Sequence, residues 1–243
     1  LTVALGLRYT WDEVEYKNGR TTLLDLAGET IVASTIPYSF PYDPSLPPVR
    51  QSEKEEQFTG RLNVSYDFTD EIMAYANFSR GYRSGTFNGL AYQGTNQVYY
   101  IEPEQIDAYE AGLKSRFWGG RAQLNLAAFL YQYDNHQVTQ VIGATTFTRS
   151  ADGELSGAEA ELAVQLLDNL RIDGTIGFLE TEYKDNVIDP ADPSSPTMNV
   201  NGNPLPNAPD LTFNAGATWD IGSFAGGNFT LRADASYMGE YYF

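Results

Sequence analysis

The chain has 243 residues and a formal net charge of −17, with an isoelectric point near 4.3, which disfavours any electrostatic grip on nucleic-acid phosphates or an anionic lipid surface. It contains no cysteine and one histidine, so it supplies no disulfide, thiolate metal site, cysteine nucleophile, His-based triad or two-His metal site. No apolar run approaches the roughly 18 residues of a membrane helix, but a mean hydropathy of −0.36 leaves membrane strands open, because their signal is weaker.

In chain order, the apolar period is two from the start. Leu1, Val3, Leu5, Leu7, Tyr9 and Trp11 share one face, with Thr2, Ala4, Gly6, Arg8 and Thr10 opposite. The chain opens inside a strand without an initiator Met or signal peptide and is expected to be part of something longer. Residues 12–56 read as a long connection, acidic and carrying Pro37, Pro41, Pro44, Pro47 and Pro48. A second strand at 57–67 sets Phe58, Gly60, Leu62, Val64 and Tyr66 against Thr59, Arg61, Asn63 and Ser65. After a turn at 68–70, a third at 71–82 aligns Ile72, Ala74, Ala76 and Phe78 and leads into a Gly-rich loop, 83–102.

The longest alternation lies at 102–135, two arms joined by a tight turn at Trp118-Gly119-Gly120. Tyr109, Ala111, Leu113 and Phe117 face one way and Glu110, Gly112, Lys114 and Arg116 the other. In the second arm Ala122, Leu124, Leu126, Ala128 and Leu130 form the apolar row, while Phe129 and Tyr131 fall on the polar side. Each arm exceeds the 5–6 residues usual in soluble strands (about that number) and matches the roughly 9–11 of a tilted membrane strand. A loop at 134–152 is expected to extend as a hairpin through 137–142 and 145–149. Strands six (155–167) and seven (170–183) follow, turned at Asp168-Asn169. After a loop at 184–209 come strand eight, with Leu211, Phe213, Ala215, Ala217 and Trp219 in one row, and strand nine, with Phe229, Leu231, Ala233, Ala235 and Tyr237; residues 222–228 join them.

Long connections alternate with short ones at 68–70, 118–120, 168–169 and 221–228, as in a membrane meander whose long loops share one end. Aromatics collect towards both ends. Tyr9, Trp11, Phe58, Tyr82, Tyr109, Tyr131, Tyr133, Tyr183 and Tyr237 lie near the long loops; Tyr66, Phe68, Phe117, Trp118 and Trp219 lie near the short turns, which reads as two girdles around a lipid-facing band. The opposite face carries charges of both signs at mid-strand and therefore needs water or partners, as a wide lumen supplies.

These stretches resemble the C-terminal barrel of TonB-dependent outer-membrane receptors. PEQIDAYEAGLKSRF and LNLAAFLYQYDN carry the likeness, joined by FSRGYRSGTFN at 78–88, GAEAELAVQLLDNLRIDGTIGFLETEY at 157–183 and NGNPLPNAPDLTFNAGATW at 201–219, in the family's order. The fold class expected is all-β: an antiparallel up-and-down transmembrane β-barrel segment, about nine strands of about 22 around a plug. The resemblance implies that 1–243 is a partial barrel domain without the plug, in the bacterial outer membrane. It also implies import of a ferric siderophore or similar scarce nutrient, with outer-membrane lipid, the TonB complex (reached through the plug) and that ligand as partners. No nucleic acid, cofactor, resident metal or enzymatic activity is expected. A passive porin-like channel is the alternative, and a secreted β-sandwich lectin or adhesin a further one.

His136 reads as an exposed loop residue rather than a base, and Glu159 and Glu161 as lumen wall rather than paired catalytic carboxylates. The acidic run 185–195 lacks the ligand spacing of a calcium loop, and the glycines of 81–89 open no helix. By resemblance the latter stretch shapes the extracellular mouth. Tyr82, Arg83, Phe87 and Asn88 are therefore the candidate substrate-binding residues, joined by the loop aromatics Tyr92, Tyr99 and Tyr100. The competing reading is that they stabilise the loop itself.

Overall fold

The computed structural model describes residues 1–17, 23–24, 30–31, 50–88, 99–142, 145–185, 200–224 and 226–242. Its strands are β1 (Thr2–Lys17), β2 (Leu23–Leu24), β3 (Thr30–Ile31), β4 (Arg50–Thr69), β5 (Ile72–Arg83), β6 (Thr86–Phe87), β7 (Tyr100–Ile101), β8 (Glu104–Phe117), β9 (Ala122–Ile142), β10 (Thr145–Leu167), β11 (Leu170–Tyr183), β12 (Leu211–Phe224) and β13 (Gly227–Met238). Nine of them form one open antiparallel sheet in the order β1-β4-β5-β8-β9-β10-β11-β12-β13, and β2-β3 and β6-β7 are two-residue pairs within the long connections. Every step along the sheet is to the next long strand in sequence, which is the up-and-down meander expected.

The register makes each strand's alternation into a property of the whole sheet. Val3, Val64, Ala76, Ala111, Ala128, Ala158, Phe178 and Leu211 are successive cross-strand partners from β1 to β12, so one apolar row crosses eight strands without a polar break. Nothing in the described chain covers that face: Leu5 is 68% exposed and Trp11 75%. Side chains of this kind in contact with water would cost about 1.5–3 kcal/mol each relative to burial, so the face is built for acyl chains. Nine residues of β8, from Tyr109 to Phe117, cross the band, within the roughly 9–11 that a membrane strand requires.

Ring pairs border the band at both ends. Tyr9 packs on Phe58 (5.8 Å between centroids) and Phe78 on Tyr109 (5.1 Å) near the long loops; Tyr66 meets Phe68 (4.9 Å) and Phe117 meets Trp118 (5.8 Å) near the short turns. Three residues of the expected girdle sit elsewhere. Tyr131 lies on the polar face stacked on Phe129, Tyr133 packs edge-on against His136, and Tyr183 is buried in a small core with Ala151 and Leu205. All three follow plain alternation: Tyr131 and Tyr133 keep the phase of Phe129, and Tyr183 lies an odd step from Phe178, so nearness to a long loop sets their height on the sheet while strand parity turns them to the inner face.

Other boundaries also move. Residues 12–17 and 50–56, read above as part of the long connection, are strand: Asp12 pairs Glu55 and Lys17 pairs Arg50. Beyond the lipid band one face meets water and the other meets the polar stems of the 84–102 connection, so no apolar period marks this part of the strand. The join between β12 and β13 is tighter than 222–228, since Phe224 pairs Gly227, with a register shift between Asp220 and Gly222. The 137–142 and 145–149 arms form the expected hairpin as continuations of β9 and β10, past a bulge where Asn135 adopts a φ of 55° and its N–H donates to Asp152 Oδ1 (2.9 Å). His136 is therefore a half-buried strand residue and not an exposed loop residue, with Nδ1 at 3.4 Å from Glu104 Oε2.

Candidate functional site

The polar face carries groups of hydrogen-bonded side chains, interrupted by Tyr75, Phe129 and Tyr131. Asn63 donates to Asn77, Asn77 to Glu110 Oε1 (3.4 Å), and Asn125 to Glu161 Oε2 (2.9 Å) across neighbouring strands. Arg232 donates through Nε to Asp234 Oδ2 (3.0 Å) and through Nη1 to Thr218 Oγ1 (2.9 Å), and lies 3.7 Å from Asp173. Glu159 and Glu161 occupy adjacent steps of this wall, as expected from strand alternation. Two hollows of about 710 and 430 Å³ open on it, the first lined by Arg171, Asp173, Thr218, Arg232 and Asp234, the second by Tyr75, Lys114, Glu159 and Glu161.

The aromatic residues that break the polar pattern lie flat on glycines of the next strand. A Cβ on Gly112 would stand 2.5 Å from the Tyr75 ring, and one on Gly157 would stand 2.5 Å from the Phe129 ring and from the Phe178 carbonyl oxygen. Lys114 Nζ caps Tyr75 at 5.6 Å from the ring centroid.

Just beyond the apolar band its outward row turns polar. Arg80, Asp107, Gln132, Glu154 and Glu182 are successive cross-strand partners. Arg80 forms a two-pronged pair with Asp107, Gln132 donates to Glu154 (3.3 Å), and Lys184 reaches Glu182 and Glu154 (3.2 Å from the latter). The Gln132 hydrogen bond and the Lys184 ammonium hold the Glu154 carboxyl below its usual range, and the two carboxylates push Lys184 up.

Above this row the strand ends and long-loop stems form a braced collar. Tyr82 donates to Asp12 Oδ2 (2.7 Å), which raises the phenol's pKa, and Arg83 is exposed at the end of β5. Phe87 is buried between Tyr16 (6.0 Å) and Tyr100 (5.2 Å). Asn88, 1% exposed, donates its N–H to Tyr99 O (3.0 Å) and accepts from Thr148 N (3.4 Å), and the Tyr99 hydroxyl donates to Thr148 O (3.0 Å). The Tyr100 hydroxyl donates to Glu55. Six of the seven candidate residues thus converge on one end of the sheet; Tyr92 lies outside the described residues, as does most of the acidic run 185–195.

Residues that sequence reasoning missed hold this collar. Glu55 accepts from Ser84 Oγ (3.0 Å) and Gly85 N (2.9 Å) as well as from Tyr100. Gln137 donates through Nε2 to Ser84 O (3.2 Å) and Glu102 O (3.1 Å), and its N–H donates to Glu104 Oε2 (2.8 Å). Glu55 sits in the run SEKEE, where no period singles out one acid from its neighbours. Beside the collar, residues 200–210 fold back on β11: Tyr183 N–H donates to Asn203 O (2.9 Å) and Leu205 N–H to Thr181 Oγ1 (3.0 Å), which places Leu205 against Tyr183. Among the described residues no group of three or more His, Cys, Asp or Glu side chains is arranged to hold a metal ion.

An open sheet with one lipid-facing surface, one hydrated surface and a braced collar at the long-loop end is a segment of an outer-membrane β-barrel. The family model for the TonB-dependent-receptor-like β-barrel matches residues 1–243, and the chain belongs to that family of outer-membrane receptors and transporters. A curated relative, the metal-pseudopaline receptor CntO of Pseudomonas aeruginosa, is 25% identical over 124 residues, which is 51% of this chain and 17% of that protein. Among solved structures, the ferric yersiniabactin uptake receptor FyuA from Yersinia pestis superposes with a TM-score of 0.72 at 16% identity over 99% of this chain and 32% of its own. The siderophore receptor PiuA from Acinetobacter baumannii gives 0.61 at 18% identity, covering 97% of this chain and 30% of its own. The chain thus spans about a third or less of these relatives, and the structural matches bear on the fold.

Proposed function

We propose that residues 1–243 are part of the barrel of a receptor that captures a scarce metal chelate, such as a ferric siderophore, at its extracellular collar and imports it through the lumen with energy delivered by TonB. In this reading the barrel has about 22 strands, the plug and TonB contact lie outside this chain, and no step is enzymatic. The observation that carries the reading is the pairing of a polar wall with a collar of Tyr82, Arg83, Tyr99 and Tyr100 above it, braced from within by the buried Phe87 and Asn88. Rigid aromatic and hydrogen-bonding groups at a channel mouth suit a large polar chelate better than a stream of small solutes. The names of similar proteins support a metal chelate as cargo, since one is a metal-pseudopaline receptor and others take up ferric yersiniabactin or a siderophore.

The test is uptake of radioactive iron from a hydroxamate, a catecholate and a carboxylate siderophore by cells that carry the full-length protein, with and without TonB. The proposal predicts saturable, TonB-dependent uptake of at least one chelate. Uptake that rises linearly with concentration and ignores TonB would indicate a passive channel instead.

A further inference from the structure

We propose that Glu55 and Gln137 are positioning residues for ligand capture, clamping the two stems of the 84–102 connection from opposite sides so that the collar is already formed before a ligand arrives. The inference rests on the transport reading above and adds two residues to it.

The two side chains come from different strands and grip the same stems. Glu55, on β4, is 6% exposed, and its carboxylate is met by the Ser84 hydroxyl, the Gly85 N–H and the Tyr100 hydroxyl. Ser84 and Gly85 belong to the outgoing stem and Tyr100 to the returning one, so a single carboxylate ties both together. Gln137, on β9, is 7% exposed and repeats the tie on another edge, one amide nitrogen donating to Ser84 O and Glu102 O. Gly85 fits only as glycine, since a Cβ there would collide with the Tyr100 hydroxyl, Glu55 Oε1 and the Ile101 carbonyl.

A surface connection could leave these groups to water at little cost. Burying a carboxylate is expensive unless it is hydrogen-bonded; here the three donors that meet it belong to loop stems rather than to the barrel ladder, whose backbone pairing of β4 with β1 and β5 is independent of it. The gain is preorganisation. Phe87 is wedged between Tyr16 and Tyr100, and Arg83 sits exposed at the root of the clamp, where a guanidinium suits the carboxylate or phenolate oxygens of a metal chelate. Binding then carries less of the ordering cost that a loose loop would impose.

The test uses the full-length receptor in outer membranes with E55A, Q137A and the conservative E55Q, and as probes the same three iron-loaded siderophores. Maximal uptake rate, half-saturating concentration and amide hydrogen exchange at Gly85 and Asn88 are measured together. Removing acceptors or donors from buried partners of a charged group predicts an increase of about tenfold in half-saturating concentration for E55A and Q137A, at unchanged maximal rate and with faster exchange at both amides. E55Q is expected to stay within about threefold of wild type, because an amide oxygen in the Oε1 position still accepts the Gly85 N–H and the Tyr100 hydroxyl, while the Ser84 hydroxyl can turn to accept from the amide NH2. Wild-type half-saturation in both alanine variants despite faster exchange would overturn the positioning role alone, leaving transport intact. A wild-type protein that takes up none of the three probes would overturn the transport reading and this one with it. If E55A does not reach the membrane, Q137A decides on the same criterion.

Discussion

Gly157 has no room for a side chain, and its reason is local. The Phe129 ring lies across it on one side and the Phe178 carbonyl oxygen closes the other. G157A forces either the ring off the wall or the β10–β11 pairing apart, and is expected to destabilise the barrel by about 1–3 kcal/mol, read as a lower urea midpoint of the protein in lipid vesicles. An unchanged midpoint would mean that the ring does not occupy that position. Leu126 and Asn125 are neighbours in sequence on opposite faces of β9, Leu126 in the apolar row and Asn125 hydrogen-bonded to Glu161 on the wall. L126R is expected to cost roughly 2–4 kcal/mol as a charge near the bilayer midplane. N125R, placed among water and carboxylates, is expected to cost under about 1 kcal/mol. Comparable costs at the two sites in the same urea titration would contradict the assignment of faces.

At the scale of elements, the sequence marks a strand clearly only where a membrane gives its two faces different solvents. Between the aromatic girdles, alternation placed Leu62, Ala76, Ala111 and Leu126 on one surface, and the register unites them. Beyond the girdles the signal stops, so Asp12 and Glu55 read as loop although they pair in strands. The bulge at Asn135 hid His136 and Gln137 in the same way, by shifting the phase within a single strand. The collar was legible as a place, through GYRSGTFN, while its braces Glu55 and Gln137 were not, because a hydrogen bond between residues 29 or more apart leaves no local pattern.

The strand extensions also carry a pH dependence. Glu154 is held below its ordinary value, so its contribution is present above about 4.3 and is lost as pH falls through its lowered folded value. Lys184 is raised, so its contribution is present below about 10.4 and is lost as pH rises through the folded value. The contact is thus complete between those limits. Hydrogen exchange at the Lys184 amide, which donates to Asp152 O (2.9 Å), is expected to show its protection factor falling as pH drops below about 4 and flat from 5 to 9. Being exposed, the pair contributes little to global stability. A protection factor that does not change on acidification would separate the amide from the ion pair. The β8–β9 turn depends on a different feature: Trp118, Gly119 and Gly120 all have positive φ, at 56°, 63° and 86°. G120V is expected to cost about 1–2 kcal/mol through backbone strain, visible as slower folding into vesicles.

For the whole molecule, the decisive property is that the sheet has two surfaces and two edges and, among the described residues, no second layer. β1 and β13 each have one neighbour in the sheet, and most of the large exposed hydrophobic side chains are those of the apolar rows. Residues 1–243 produced alone are therefore expected to aggregate in detergent-free buffer, where paired edges and buried rows are reached only between molecules. A monodisperse monomer on sizing chromatography would argue against this. The charge pattern agrees with a wide lumen rather than a packed core, since Lys114, Glu159, Glu161, Asp173 and Arg232 line hollows instead of filling a sealed interior.

Residues 1–243 contain no cysteine, so the faces can be assigned by spin labels on single cysteines introduced here, in the full-length protein in bilayers with any cysteine elsewhere replaced by serine. Labels at Leu113, Leu126 and Ala160, which share one cross-strand row, and at Lys114, Asn125 and Glu161 on the wall, would be scanned by power saturation with oxygen and with a water-soluble nickel chelate. The first three are predicted to relax with oxygen and the second three with nickel. Equal access to both reagents along the two rows, or nickel access at Leu126, would contradict the account.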